Sequence, residues 1–273
     1  MTSVVAFQGE RGAYSEEAVV KYFGEGVSTL PLGSMWDVFE AVAENRVDFA
    51  VVPVENSIEG GVNEVMGLLR GCEVKVVGEV MIRVVHCFIC NPGAQLGRIR
   101  FVYSHPQALG QCRKFLGDSG LRAIPFYDTA GSVKEIVGKT ECAAIASKRA
   151  AEIYKMRVVV EGIEDNKKNF TRFFVITAKH EIPRPTGSDK TSVIFSLKHR
   201  AGELFRSLEA FAARNINLTR IESRPAPDKL WEYDFFVDFE GHVEDSLVKE
   251  ALMDLRERTT FLKVLGSYPK AGT

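Results

Sequence analysis

The sequence predicts an α/β protein: a two-lobed domain of doubly covered, mostly parallel sheets with a central cleft, followed by a smaller ferredoxin-like domain. Three observations carry this. Strand-like and helix-like segments alternate through residues 1–178, and the strands are almost continuously apolar, as in a parallel sheet covered on both faces. One extended segment, 74–90, is too long for an ordinary strand and lies between two such blocks. Beyond a stretch with prolines and a glycine, 179–189, the order becomes βαββαβ.

The elements follow in order. "VVAFQG" (4–9) is a strand, and residues 13–23 form a helix with Tyr14, Ala18 and Phe23 among charges. Residues 35–46 are helical, and "VDFAVVPVE" (47–55) is a strongly apolar strand. After the long segment 74–90 come "IRFVYS", a helix from about 106 to 116, "LRAIPFYD", a helix from about 130 to 137, "CAAIAS", a helix over 148–155 and the strand "RFFVI". The topology places lobes at about 1–76 plus 160–178 and at 77–159, with 158–178 crossing back to the first. From 190 to 273 the strand "TSVIFSL", a helix with Leu204, Phe205, Leu208, Phe211 and Ala212 on one face, "INLTRIESR", "WEYDFFVDFEG", a second helix and "TFLKVLGSY" complete the small domain.

Composition excludes several classes. Lys plus Arg is 35 and Asp plus Glu is 36, so no basic excess points to nucleic acid. No apolar stretch approaches the ~20 residues of a membrane span. The start shows no basic segment followed by a long apolar run, and the five cysteines are odd in number, so a reduced, cytoplasmic protein is expected. Cys87 and Cys90 form a C-x-x-C, but residues three apart on a strand point to opposite faces, and no second pair completes four metal ligands. No metal and no cofactor is expected, since neither a P-loop nor a nucleophile elbow is present. "GERGAY" (9–14) has the look of a phosphate loop.

Polar residues gather at strand ends, where α/β sheets bind ligands. Glu55, Asn56 and Ser57 follow an apolar strand and precede glycines. Ser104 and His105 end another, before Pro106; Gln107 and Gln111 share one helix face, with Ser104 as N-cap. Thr129 and Ala130 stand in "FYDTAGSV", and Asn169, Thr171, Arg172 and Phe173 in "NFTRFF". Arg172 suits a bidentate carboxylate contact. The pair Thr-Arg recurs in "NLTRIESRP" (217–225), beyond the linker.

Together "GERGAYSEEA", "PVENSIEGGV", "SHPQALGQC", "DTAGSV", "AAIAS" and "NFTRFF" resemble prephenate dehydratase, and the last block, with "INLTRIESRP", resembles the ACT domain that follows it in that family. With no chorismate mutase segment ahead of the first strand, the resemblance is to the monofunctional form. It implies a periplasmic-binding-protein-like catalytic domain, loss of CO2 and water from prephenate in phenylalanine biosynthesis, and assembly as a homodimer or homotetramer. It implies Thr171, Glu55, Asn56, Ser104 and Gln111 as catalytic positions, with Ser57, Thr129, Ala130, Asn169, Arg172 and Phe173 as substrate contacts. It also implies L-phenylalanine as effector at Gly202, Leu204, Asn217, Leu218, Glu222, Ser223 and Arg224. Glu203 departs from the family, which often has an Ala there. The alternatives are arogenate dehydratase, or a non-catalytic two-lobed sensor of a small acid or amino acid.

Overall fold

The computed structural model describes residues 3–227 and 231–272; the outer limits of the expected domains, 1 and 273, lie outside them. Strands β1 (Val4–Gln8), β2 (Ser28–Leu32) and β3 (Phe49–Asn56) run parallel, joined by helices α1 (Tyr14–Phe23) and α2 (Met35–Ala43). Ser34 opens α2 with a reciprocal capping box to Asp37, satisfying amides that have no partner within the helix. A short β4 (Gly60–Gly61) and α3 (Asn63–Gly71) lead to β5 (Lys75–Arg83).

The chain then crosses to a second sheet. The segment expected to be too long for one strand breaks at residues 84–86, between β5 and β6 (Cys87–Cys90). Cys87 faces one apolar cluster and Cys90 another, as alternation requires. There follow β7 (Phe101–Ser104), α4 (Pro106–Gln111), α5 (Arg113–Ser119), β8 (Arg122–Pro125), α6 (Thr129–Glu135), β9 (Cys142–Ala146), α7 (Lys148–Ile153) and β10 (Arg157–Glu161). The single helix expected over 106–116 is divided at Cys112, whose φ of −120° and ψ of 31° are not helical. The chain returns as β11 (Phe170–Thr177), inserted between β3 and β5.

The two sheets have the orders β2-β1-β3-β11-β5 and β10-β6-β9-β7-β8. Both are mixed rather than mostly parallel. Strands reached through helices run parallel, whereas β11 runs against β3 and β5, and β6 runs against β9 and β10. The two crossings lie side by side: Val84 N–H donates to Asn169 O at 2.8 Å, and His86 O accepts from Gly162 and Ile163 N–H at 2.9 and 3.0 Å.

The "GERGAY" loop is a packing element between lobes and not a phosphate cradle. At Gly12, φ +90°, a Cβ would lie 2.6 Å from Ala150 Cα. Ser147 Oγ donates to Gly12 O at 2.7 Å, and Glu10 takes Lys134 Nζ and Tyr127 OH at 3.1 Å each. One apolar cluster spans the contact, from Val5 and Phe7 to Ile89, Ala144 and Ala150.

The C-terminal sheet holds β12 (Asp189–Ser196), β13 (Leu218–Pro225), β14 (Tyr233–Glu240) and β15 (Phe261–Pro269), in the order β13-β14-β12-β15, all antiparallel. Helices α8 (Glu203–Ala212) and α9 (Ser246–Arg258) share one apolar cluster with Phe195, Val237 and Phe239. Ile194, Phe236, Leu265 and Tyr268 share a different cluster with Val76, Phe174 and Ile176 of the first lobe. The approach is close enough that a Cβ at Gly266 would strike Val76 O.

Candidate active site

A cavity opens between the lobes. Asn56 and Thr171 face each other across the β3–β11 ladder, and both line it. The second lobe contributes His105, Gln107, Ala108, Gln111 and Thr129; the crossing contributes Val84 and His86, and α1 contributes Tyr14. No lysine, arginine or carboxylate is among these lining residues.

Backbone amides fix the direction of the hydrogen bonds that run through Asn56. Ile58 and Glu59 N–H both point at one atom of the Asn56 amide, at 3.0 and 3.1 Å, so that atom is oxygen. The Asn56 Nδ2 therefore donates, to Asn169 Oδ1 at 2.8 Å and to Thr171 Oγ1 at 3.0 Å. Asn169, fully buried, then presents Nδ2 to Gln111 Oε1 at 2.8 Å. Gln111 Nε2 is left toward the cleft mouth, 3.4 Å from Glu59 Oε1. Thr171 Oγ1 accepts from Asn56, and among the described residues no acceptor takes its own proton. The hydroxyl is thus held as a donor facing a neutral cavity.

Burial shifts the groups around it. His86 is 2% exposed, and burial lowers its pKa below the ordinary histidine range, against the opposing pull of Gln111 and Glu164. Burial raises the Tyr14 hydroxyl well above its usual value, and the charge of Glu17 adds to this. Cys112 is pushed up to about 12 by burial, which leaves it a thiol.

The expected site residues divide into two groups. Asn56, Gln111, Thr129 and Thr171 line the cavity, and Asn169 joins their hydrogen-bond chain. Ser57 stands outside it and fastens the "NFT" segment, accepting from Phe170 N–H and donating to Lys168 O, both at 2.9 Å. Ser104, fully buried, donates to Ile145 O at 2.6 Å and ties β7 to β9; it is not the helix cap. That role falls to His105, whose Nδ1 accepts from Gln107 N–H at 3.3 Å. Ala130 and Phe173 are core residues, 0% and 1% exposed. His86 and Val84 were missed because they lie inside an apolar run. The excessive length of that run was the available signal.

Glu55 and Arg172, expected in the site, lie off the cavity lining. Each neighbours a cleft residue on its strand and therefore points to the other face. Arg172 Nη2 lies 2.5 Å from Asp238 Oδ2 and 3.0 Å from Glu55 Oε2, and Nη1 lies 3.3 Å from Glu79 Oε2. Lys190 Nζ meets Glu79 at 2.9 Å, and Ser192 Oγ donates to Asp238 at 2.6 Å. Burial alone would raise the Asp238 carboxyl, but Arg172 and Arg220 outweigh it and hold it below the ordinary range. This cluster docks the C-terminal sheet on the first lobe, on the face of the strands away from the cavity.

The expected effector residues are also divided. On β13, Arg220, Glu222 and Arg224 face the first lobe: Arg220 pairs with Glu222 at 2.7 Å, and Arg224 donates to Asn63 O. Glu222 and Arg224 are therefore contacts between domains. A separate cavity is lined by Leu204 and by residues at the start of β14, Tyr233 and Phe235. Ser223 pairs with Phe235 at this end, and Gly202, φ +81°, opens α8. Glu203 also lines this cavity and pairs with Arg206 at 2.9 Å. Asn217 and Leu218 stand at the far end of β13, beside Phe239 and Glu240.

Residues 5–181 match the family model described as prephenate dehydratase, and residues 191–257 match that of the ACT domain. A bifunctional chorismate mutase/prephenate dehydratase of Aquifex aeolicus is 41% identical over 98% of this chain and 74% of its own length. An arogenate dehydratase/prephenate dehydratase of Arabidopsis thaliana is 42% identical over 97% of this chain and 72% of its own. Among solved structures, a prephenate dehydratase of Arthrobacter aurescens in complex with L-Phe superposes with a TM-score of 0.90 at 31% identity, covering 98% of this chain and 90% of that one. A protein described as a novel type of quorum quenching acylase superposes at 0.88 with 32% identity, covering 97% of both chains. Fold, cleft and sequence agree, and the chain belongs to the prephenate dehydratase family, with an ACT domain behind the catalytic one.

Proposed function

We propose that this chain converts prephenate to phenylpyruvate, and that one observation carries the assignment: the Thr171 hydroxyl is held by Asn56 as a proton donor facing the cleft. Losing CO2 and water together makes the substrate ring aromatic, which supplies the driving force. What remains for the protein is to help the ring hydroxyl depart, a general-acid task for Thr171. Gln111 Nε2 orients the substrate by a neutral contact. The absence of Lys and Arg from the lining suits the chemistry, because an ion pair to the departing carboxylate would stabilise the ground state.

Regulation by L-phenylalanine belongs to the same proposal. The cavity at α8 and the Asn217 end of β13 are too far apart in pairing register to form one site within a chain. Strand β13 is the edge of its sheet, and an unpaired edge is a template for another chain. Pairing two copies antiparallel about a two-fold axis would bring the Asn217 end of one to the Ser223 end of its partner. The effector then binds between subunits of a homodimer or a larger assembly. Five free cysteines, four of them buried, support a reducing, cytoplasmic setting.

Glu59 favours a second substrate reading. Its carboxylate at the cleft mouth, 3.4 Å from Gln111 Nε2, can take the ammonium group that arogenate has in place of the keto oxygen. The test is ultraviolet assay of purified protein with prephenate, with arogenate and with an N-acyl amide, each with and without phenylalanine and after exhaustive chelation. Turnover of prephenate that survives chelation is expected. Turnover of arogenate alone would move the assignment to the amine substrate, amide hydrolysis would move it to an acylase, and binding without turnover would make the protein a sensor.

A further inference from the structure

We propose that His86 is a positioning residue for this reaction: its Nε2–H holds the Gln111 amide, pinning the far end of the hydrogen-bond chain that orients Thr171. The inference rests on the functional reading above. The near end of the chain is pinned by the Ile58 and Glu59 amides. Every orientation propagates from there, so the Gln111 atom facing Asn169 is oxygen. His86 Nε2 lies 3.0 Å from that same oxygen and must therefore carry a hydrogen.

The placement of the ring supports this. The backbone carbonyl of His86 accepts from Gly162 and Ile163, so His86 joins the outgoing crossing to the return crossing. Its Nδ1 lies 3.1 Å from Tyr14 OH of the first lobe, while Nε2 reaches Gln111 of the second. Tyr14 OH also lies 2.7 Å from Val85 O, and its one proton serves either acceptor. A neutral ring with hydrogen on Nε2 satisfies Gln111 in either case. With its carbonyl oxygen held by both His86 and Asn169, Gln111 turns Nε2 to the cleft. His86 neither gives nor takes a proton in turnover.

Steady-state rates on prephenate and nitrogen NMR of the ring test this. His86→Leu is expected to lower kcat about tenfold, the scale of one misplaced orienting contact. His86→Gln, which can set an N–H where Nε2 stood, should recover most of that loss. In a Gln111→Leu background His86→Leu should cost less than about twofold, since residues acting through one another are not additive. The acid limb of the kcat–pH profile should not move in His86→Gln. In the unsubstituted protein at neutral pH the ring should show hydrogen on Nε2, and the Gln111 side-chain amide resonances should shift in His86→Leu. Additive losses, no rescue by Gln in a folded variant, a displaced acid limb or a ring with hydrogen on Nδ1 alone would each overturn the proposal. If the protein is inert on prephenate, the functional reading fails, while the NMR result still decides the His86–Gln111 bond.

Discussion

Thr171→Val keeps the side-chain shape and deletes a proton that has no acceptor among the described residues. We expect kcat to fall roughly 10²–10⁴-fold, the range for a lost general acid, with substrate still binding; a rate near that of the unsubstituted protein would refute the role. Asn56, Gln111, Thr129 and Thr171 were legible in the sequence as polar groups at strand ends and on a cleft-facing helix turn. Glu55 and Arg172 were not. Strands β3 and β11 are covered on both faces, so a polar residue facing the cleft and one facing a docked domain stand side by side in the sequence with nothing to distinguish them. Ser104 misled for a related reason: a hydroxyl before a helix reads as a cap, yet this one is spent on a strand-to-strand contact.

At the scale of elements, β11 is tied to the C-terminal domain through a buried charge cluster. Arg172→Ala would leave Glu79 and Asp238 buried without their shared cation, and breaking such a cluster costs about 3–5 kcal/mol. Denaturant midpoints check this. The Asp238 carboxyl is held below its unfolded value of about 3.9, so its stabilising contribution is present above roughly pH 4 and is lost as pH falls through the lower, folded value. Asp238→Asn should therefore flatten the acid decline of the stability curve. At the "GERGAY" loop, Gly12→Ala puts a Cβ against the Ala150 backbone at a positive φ, so about 1–3 kcal/mol of destabilisation is expected, together with weaker prephenate binding as the lobes separate; unchanged stability and KM would refute the packing role. The periodic helices and the break after β5 were readable from pattern. Strand β2 was not, because "STLPL" is short, contains proline and lies at a sheet edge.

At the scale of the whole molecule, the proposed function separates inhibition from catalysis. Asn217→Ala is expected to blunt inhibition by phenylalanine and leave the uninhibited kcat nearly unchanged, whereas Thr171→Val loses turnover and still binds phenylalanine in a calorimetric titration. Coupling between such sites is typically about 1–3 kcal/mol, and prephenate must weaken phenylalanine binding by the factor that phenylalanine weakens prephenate binding. Loss of catalysis in Asn217→Ala as deep as in Thr171→Val would merge the two Thr-Arg segments into one site. The order of elements in the C-terminal domain was legible from its rhythm. Its docking was not, since Asp234 and Asp238 look like surface residues until Arg70 and Arg172 meet them, each at 2.5 Å.

Thr171 and Arg172 are consecutive, one turned to the cleft and the other to the neighbouring domain. This limits how the protein can be taken apart or recombined. A fragment ending at residue 181 would bare Phe174, Ile176 and Val76 and strand Arg172 without Asp238. A foreign ACT module would need its own apolar face and a carboxylate matched to Arg172. The two domains thus behave as a single unit for recombination, and a graft that ignored the back of β11 would be expected to fail in folding before any question of inhibition arose.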